Sequence, residues 1–115
     1  MHYTLLFYES PEEFSLRTDS SRQKEYLASW SHYVNALRAS GVVVTGSGLQ
    51  APETATSLRR KGSEMLVQDG PVTETKEQLG GFFIIDVPDL DTALEWAARG
   101  PSDAVEVRQN IPSIK

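Results

Sequence analysis

Residues 68–87 read QDGPVTETKEQLGGFFIIDV. Asp69-Gly70-Pro71 is a chain reversal with a carboxylate at its entrance. Gly70 can adopt positive φ, and Pro71 fixes its own φ at about −65°. After the polar run Thr73 to Gln78 come Gly80-Gly81 and four apolar residues, Phe82-Phe83-Ile84-Ile85. A rigid polar loop pinned between two strands is expected, the second strand running from Phe82 to Val87. The rest of the chain then reads as the scaffold for this loop. The apolar residues of that strand fall on both parities, so both faces of its sheet need shielding from water.

Upstream, Tyr3 to Tyr8 (YTLLFY) is also apolar on both parities and is read as a buried strand. Tyr3, Leu5 and Phe7 face one way; Thr4, Leu6 and Tyr8 face the other. Glu9 to Asp19 is polar, contains Pro11 and is expected to be a long loop, a kind of connection that is often functional. A helix is expected from a Ser20 or Ser21 cap, with Glu25 near the capping-box position, to Ser40, stopped by Gly41. Its apolar stripe is Tyr26, Trp30, Tyr33 and Leu37, widened by Leu27 and Val34. Val42-Val43-Val44 opens a second strand, and Ala51-Pro52 leads away from it.

Thr56–Leu58 and Met65–Val67 read as a hairpin joined across Lys61-Gly62. Past Val87, Asp89 is the expected N-cap of another helix with the stripe Leu90, Ala93, Leu94 and Ala97, stopped by Gly100-Pro101. Ala104 to Val107 is a last strand, and residues 111–115 form a tail. The order β-α-β, hairpin, β-α-β over one domain, 1–115, gives a ferredoxin-like α+β fold: an antiparallel sheet, two helices on one face and an inserted hairpin. No helix remains for the second face. The expected cover is the same face of another copy, giving a two-fold homodimer, with the inserted hairpin as the alternative cover.

Composition narrows the function classes. The chain has 115 residues, a net charge of −5 and no cysteine. Its sequence pI is 4.9. An acidic chain lacks the basic face that direct nucleic-acid binding needs, and Arg59-Arg60-Lys61 reads as a solvated hairpin tip. Without cysteine, disulfides and thiolate metal sites are excluded. The start, His2 to Tyr8, has no signal-peptide pattern, and no apolar run is long enough to span a bilayer, so no membrane role is expected and the cytoplasm is the default location. Gly46-Ser47-Gly48 lacks the third glycine and the following helix of a dinucleotide site. No cofactor and no metal site is expected.

The stretch DGPVTETKEQLGGFFIIDV, followed by DLDTALEWAARGP, resembles the DGPF-motif branch of the YCII-related proteins. The signature here is Asp69-Gly70-Pro71-Val72, with Val72 in place of the family's Phe. Further matches are Glu74, Thr75, Lys76, Glu77, Gly80, Gly81, Leu90, Ala93, Glu95, Trp96 and Ala97, and, upstream, Gly41, Gly46, Leu49 and Pro52. The resemblance implies a dimeric α+β barrel. Some relatives in the wider superfamily act on muconolactone-type compounds by proton transfer, for which a His–Asp pair has been proposed. The matching helix position here falls near Trp30, and neither His2 nor His32 fits that motif. Other members of the branch are linked to alternative sigma factors.

Asp69 is the candidate general base, since burial at a strand end would raise a carboxylate's pKa. Its competing role is to accept hydrogen bonds from the turn it begins. Arg59 and Lys76 are candidates for holding an anionic substrate group, or are simply solvated. Gly70, Pro71 and Thr73 would complete the loop, with Tyr8 nearby; Thr73 and Thr75 can instead cap a helical turn over Thr73–Gln78. His32, beside the helix stripe, and His2 lack an evident partner. Three readings remain open. One is a small-molecule cleft between sheet and first helix, with proton-transfer chemistry on a small organic acid or lactone. Another is a non-catalytic regulatory protein associated with an alternative sigma factor. The third is a structural dimer whose loop serves only to hold the fold.

Overall fold

The structure is a computed structural model and describes residues 1–112. Its elements are β1 (His2–Glu9), α1 (Pro11–Ser15), α2 (Gln23–Ser40), β2 (Val43–Gly48), a 3-10 turn (Pro52–Thr54), β3 (Thr56–Lys61), β4 (Glu64–Asp69), β5 (Gln78–Asp86), α3 (Leu90–Ala98) and β6 (Ala104–Gln109). β2, β5, β1 and β6 form one antiparallel sheet in that order, while β3 and β4 form a separate ribbon. This is the expected ferredoxin-like α+β arrangement with an inserted hairpin. The described residues include no helix long and apolar enough to cross a membrane.

Alternation along β1 determines what lies beneath the helices. Tyr3, Leu5, Phe7 and Glu9 are buried, whereas Thr4, Leu6 and Tyr8 are half-buried. The buried parity packs with Ile85 and Val87, with Tyr33 and Leu37 of α2, and with Ala93 and Ala97 of α3. Small alanines let α3 sit close to the sheet. Tyr33 ties the two long helices together, its hydroxyl donating to the Trp96 carbonyl at 2.7 Å.

The helix ends follow local chemistry. Gly41 closes α2 with φ of +79°, a left-handed value that costs an L side chain. Asp89 caps α3 by accepting from the Thr92 backbone N–H at 2.8 Å. The start of α2 departs from expectation: its N-cap is Arg22, without a side-chain cap. Asp19 draws Ser21 away by accepting from both its backbone N–H and its hydroxyl.

Other expectations also change. The stretch Glu9–Asp19 is not one loop, because Ser10 and Glu13 form a capping box that starts α1. Residues 73–78 form no helical turn; Gln78 Nε2 and the Thr75 hydroxyl bond the segment's own carbonyls instead. Leu90 and Leu94 face solvent. The loop after Asp69 does run between two strands, β4 and β5, but these belong to different sheets. Of the tail, only residues 111 and 112 fall within the described residues.

Leu37→Ala empties a fully enclosed site beneath α2 and should cost about 2–5 kcal/mol in urea unfolding. Leu94→Ala, on an exposed position of α3, should stay within roughly 0.5 kcal/mol.

Candidate functional site

Glu9 is the next residue in the buried stripe Tyr3, Leu5, Phe7, so strand alternation carries a carboxylate to the end of an apolar row. It is 1% exposed. Two groups hold it. Arg17 Nη2 donates to Oε1 at 2.8 Å, and the Tyr26 hydroxyl donates to Oε2 at 2.5 Å. Arg17 Nε in turn donates to the Tyr26 hydroxyl oxygen at 3.3 Å, closing a triangle. The guanidinium also donates to the carbonyls of Leu49 and Gly80 and stacks 4.7 Å from the Phe14 ring centroid. Arg17 thus joins the α1–α2 connection to β1, to β5 and to the loop after β2.

The backbone makes room for this triangle. Register shifts between Phe7 paired with Gly81 and Tyr8 paired with Leu79, leaving Gly80 as an extra residue on β5. Such bulges bend a strand and re-aim neighbouring side chains. A Cβ on Gly80 would overlap Glu9 Oε1 and lie 3.3 Å from Arg17 Nη2. Only glycine leaves that space free.

Beside the triangle lies a cleft of about 390 Å³ between α2 and the sheet. Its apolar wall is Phe7, Leu27, Trp30, Val34 and Phe83; its polar wall is Glu9, Arg17, Tyr26 and Gln50. Phe7 stands edge-on to Trp30, Tyr33 and Phe83 at centroid distances of 5.2, 5.7 and 6.1 Å, which fixes the aromatic wall. The Trp30 indole N–H is buried and has no hydrogen-bond partner among the described residues.

The electrostatics are those of a locked pair. Burial works against the Arg17 charge, but the hydrogen bonds with Glu9 and Tyr26 outweigh it, and the guanidinium pKa rises. Burial, then the bond to Glu9, pushes the Tyr26 phenol up. Burial likewise raises Tyr33. The cleft therefore presents a neutral phenol beside the Glu9–Arg17 pair. The described residues include no group of three or more His, Cys, Asp or Glu suited to hold a metal ion.

The residues singled out from sequence lie elsewhere. Asp69 ends β4 on the outlying ribbon and is exposed, with no side-chain hydrogen bond among the described residues. Gly70 has φ of +96°, and its N–H donates to the Ala55 carbonyl at 2.7 Å. Arg59 donates to the Val72 carbonyl at 2.7 Å. The Thr73 carbonyl accepts from Gln78. Pro71 and Lys76 line an outer groove with Phe14, Pro52, Arg17 and Gln50, the last two shared with the inner cleft. Tyr8 faces the opposite side of the sheet, beside Lys76 and Ala104. His32 lies on the outer surface of α2 near Arg99, and His2 lies 3.9 Å from Asp86. Glu9, Arg17 and Tyr26 were missed as a site. The available signal was the period-two stripe of β1, which runs into an acid at Glu9.

Arg17→Met should destabilise the chain by about 3 kcal/mol, because it leaves a buried carboxylate without its counter-charge. Adding Glu9→Gln should recover part of that loss in chemical unfolding. Gly80→Ala should displace the carboxylate and lower stability even though it adds a single methyl. The pH profile has a definite sign. A phenol whose folded pKa is raised contributes stability that is complete below its ordinary value of 10 and is lost as pH rises through the folded value. The melting temperature should therefore fall more steeply above about pH 10 in the natural chain than in Tyr26→Phe.

Comparison with known proteins agrees with this architecture. A family model described as the YCII-related domain matches residues 1–111. An uncharacterised protein of Rhizobium meliloti (strain 1021) is 54% identical over 43 residues, which is 37% of this chain and 35% of that protein. The match thus spans about a third of that relative's length. Among solved structures, the 5-chloro-2-hydroxyhydroquinone dehydrochlorinase of Burkholderia phenoliruptrix AC1100, in complex with 2,5-dihydroxybenzoquinone, superposes with a TM-score of 0.50. It is 17% identical in sequence, with 96% of this chain and 94% of that one covered. At that identity the likeness concerns the fold. With the family model covering all but the last four of its 115 residues, the chain belongs to the YCII-related domain family.

Proposed function

We propose that the cleft between α2 and the sheet binds a small, mostly apolar organic molecule with one or two oxygen functions, and that Glu9 accepts a proton from it. The observation carrying this proposal is a carboxylate buried at the polar end of an aromatic-walled cleft. Each carboxylate oxygen has two lone pairs. Arg17 takes one on Oε1 and Tyr26 takes one on Oε2, so each oxygen keeps a second acceptor position. A proton removed from the ligand can rest there, with Arg17 fixing the geometry and Tyr26 adjusting its hydrogen bond.

The balance of charge favours a particular ligand class. Four of the five Arg17 N–H groups are already engaged, by Tyr26, Leu49, Glu9 and Gly80. Little cationic capacity remains for a fully ionised acid. A lactone or a weakly acidic hydroxylated ring fits better than a dicarboxylate. The dehydrochlorinase that shares the fold was solved with a hydroxylated quinone, a flat oxygenated ring of this kind.

Asp69 as base, with Arg59 or Lys76 holding the substrate's negative charge, is the second reading. In its favour, Pro71 and Lys76 line a groove that shares Arg17 and Gln50 with the cleft. Gly70 and Thr73 would then shape the outer rim. No feature of the structure favours the sigma-factor association.

The open face of the sheet supports a homodimer. Leu6, Tyr8, Phe82 and Ile84 form a half-buried apolar band on the central strands, flanked by Thr45 and Ser47 on β2 and Glu106 and Arg108 on β6. An apolar centre with a polar rim is the anatomy of a protein interface.

Thermal shift against small lactones, hydroxyquinones and aromatic acids tests the binding proposal. A ligand at about a hundred times its Kd stabilises by about 2.7 kcal/mol, a shift of several degrees. The shift should vanish in Glu9→Gln and persist in Asp69→Asn. The reverse pattern would transfer the role to Asp69. No shift with any oxygenated ring would count against a ligand cleft of this class.

A further inference from the structure

The polar side chains around the cleft are nearly all committed to one another. The Tyr26 hydroxyl donates to Glu9. Arg17 has engaged four of its five N–H groups. Gln50 is exposed at the outer edge, where the cleft meets the outer groove. The indole N–H of Trp30 is the exception. It is buried, and no acceptor meets it among the described residues.

The local sequence explains its position. Trp30 follows Tyr26 by four residues on α2, so the two side chains share one helix face, and both border the cleft. Phe7 and Tyr33 hold the indole edge-on, at centroid distances of 5.2 and 6.1 Å. Neither ring satisfies the N–H. Phenylalanine carries no acceptor, and the Tyr33 hydroxyl lies against the Trp96 carbonyl at 2.7 Å. A buried donor without a partner gives up its bond to water for nothing, and native interiors hold few such groups. Phenylalanine would fill an apolar wall without that cost.

We propose that the Trp30 N–H is the specificity donor of the cleft and pairs with a carbonyl oxygen of the ligand. This rests on the reading of the cleft as a ligand site with Glu9 at its polar end, and it narrows the ligand class. Glu9 offers an acceptor and so selects a hydroxyl. Trp30 offers only a donor and so selects an oxygen that carries no proton. The ligand is then a ring with a weakly acidic hydroxyl and a separate carbonyl. The N–H is closed to water, so engaging it takes a turn of the indole into the cleft that it borders. Binding therefore changes the surroundings of that one nitrogen.

The chain has two tryptophans, Trp30 and Trp96, so a proton–nitrogen correlation spectrum contains two indole peaks, which Trp96→Phe assigns. The probes are meta- and para-hydroxyacetophenone, compared with meta- and para-isopropylphenol, in which a methyl group stands where the carbonyl oxygen was. A hydroxyacetophenone should move the Trp30 indole proton downfield and bind about tenfold tighter than its isopropyl counterpart. Trp30→Phe keeps a ring and removes the donor; it should erase that preference while the isopropylphenols still bind. Where this variant fails to fold, the indole peak of the natural chain decides. A Trp30 peak unmoved by bound hydroxyacetophenone, equal affinity for the two series, or a preference that survives in folded Trp30→Phe would overturn the donor role and leave the cleft standing. Binding by neither series would overturn the donor role and count against the cleft as well.

Discussion

The ion pair between Glu9 and Arg17 is the interaction on which the rest of this structure turns. A carboxylate at the end of an otherwise apolar row has no water to solvate it, so the protein must supply replacement donors. Arg17 and Tyr26 do so from two different segments. The guanidinium also bonds two carbonyls, one on β5 and one after β2. Removing the carboxylate from the design would leave Arg17 without the partner that draws these four segments together. The glycine bulge on β5 exists in the same space and is explained by the same pair.

A second constraint acts on the sheet as a whole. Both long helices lie on one face, where the buried parity of β1 meets Leu37, Tyr33, Ala93 and Ala97. The other face keeps an apolar band on its two central strands. The chain is thin in one direction, 19 Å, because it has two layers where its sequence pattern asks for more.

The cleft and the conspicuous DGPV loop are neighbours built from different segments. The loop caps its own ribbon through Gly70, Ser57 and Arg59 and forms the outer groove through Pro71 and Lys76. The inner cleft is made by α2 and the bulged end of β5. A motif that stands out in a sequence does so because of its turn chemistry, and turn chemistry speaks first to local backbone geometry.

Periodicity and punctuation by themselves determined the strands, the two long helices, the hairpin and hence the ferredoxin-like order, because these depend on residues close together in the chain. Gly41 and Asp89 fixed two helix ends for the same reason. Only the tertiary structure decided the site. Glu9, Arg17 and Tyr26 are separated by stretches of helix and turn, and each has a plain local reading as a loop acid, a loop base or a core aromatic. Their meaning comes from burial, which is a property of the packed fold. The start of α1 was within reach of sequence, through Ser10 and Glu13. The bulge at Gly80 was not, since a glycine in a strand shows that space is needed there without showing which side chain will occupy it.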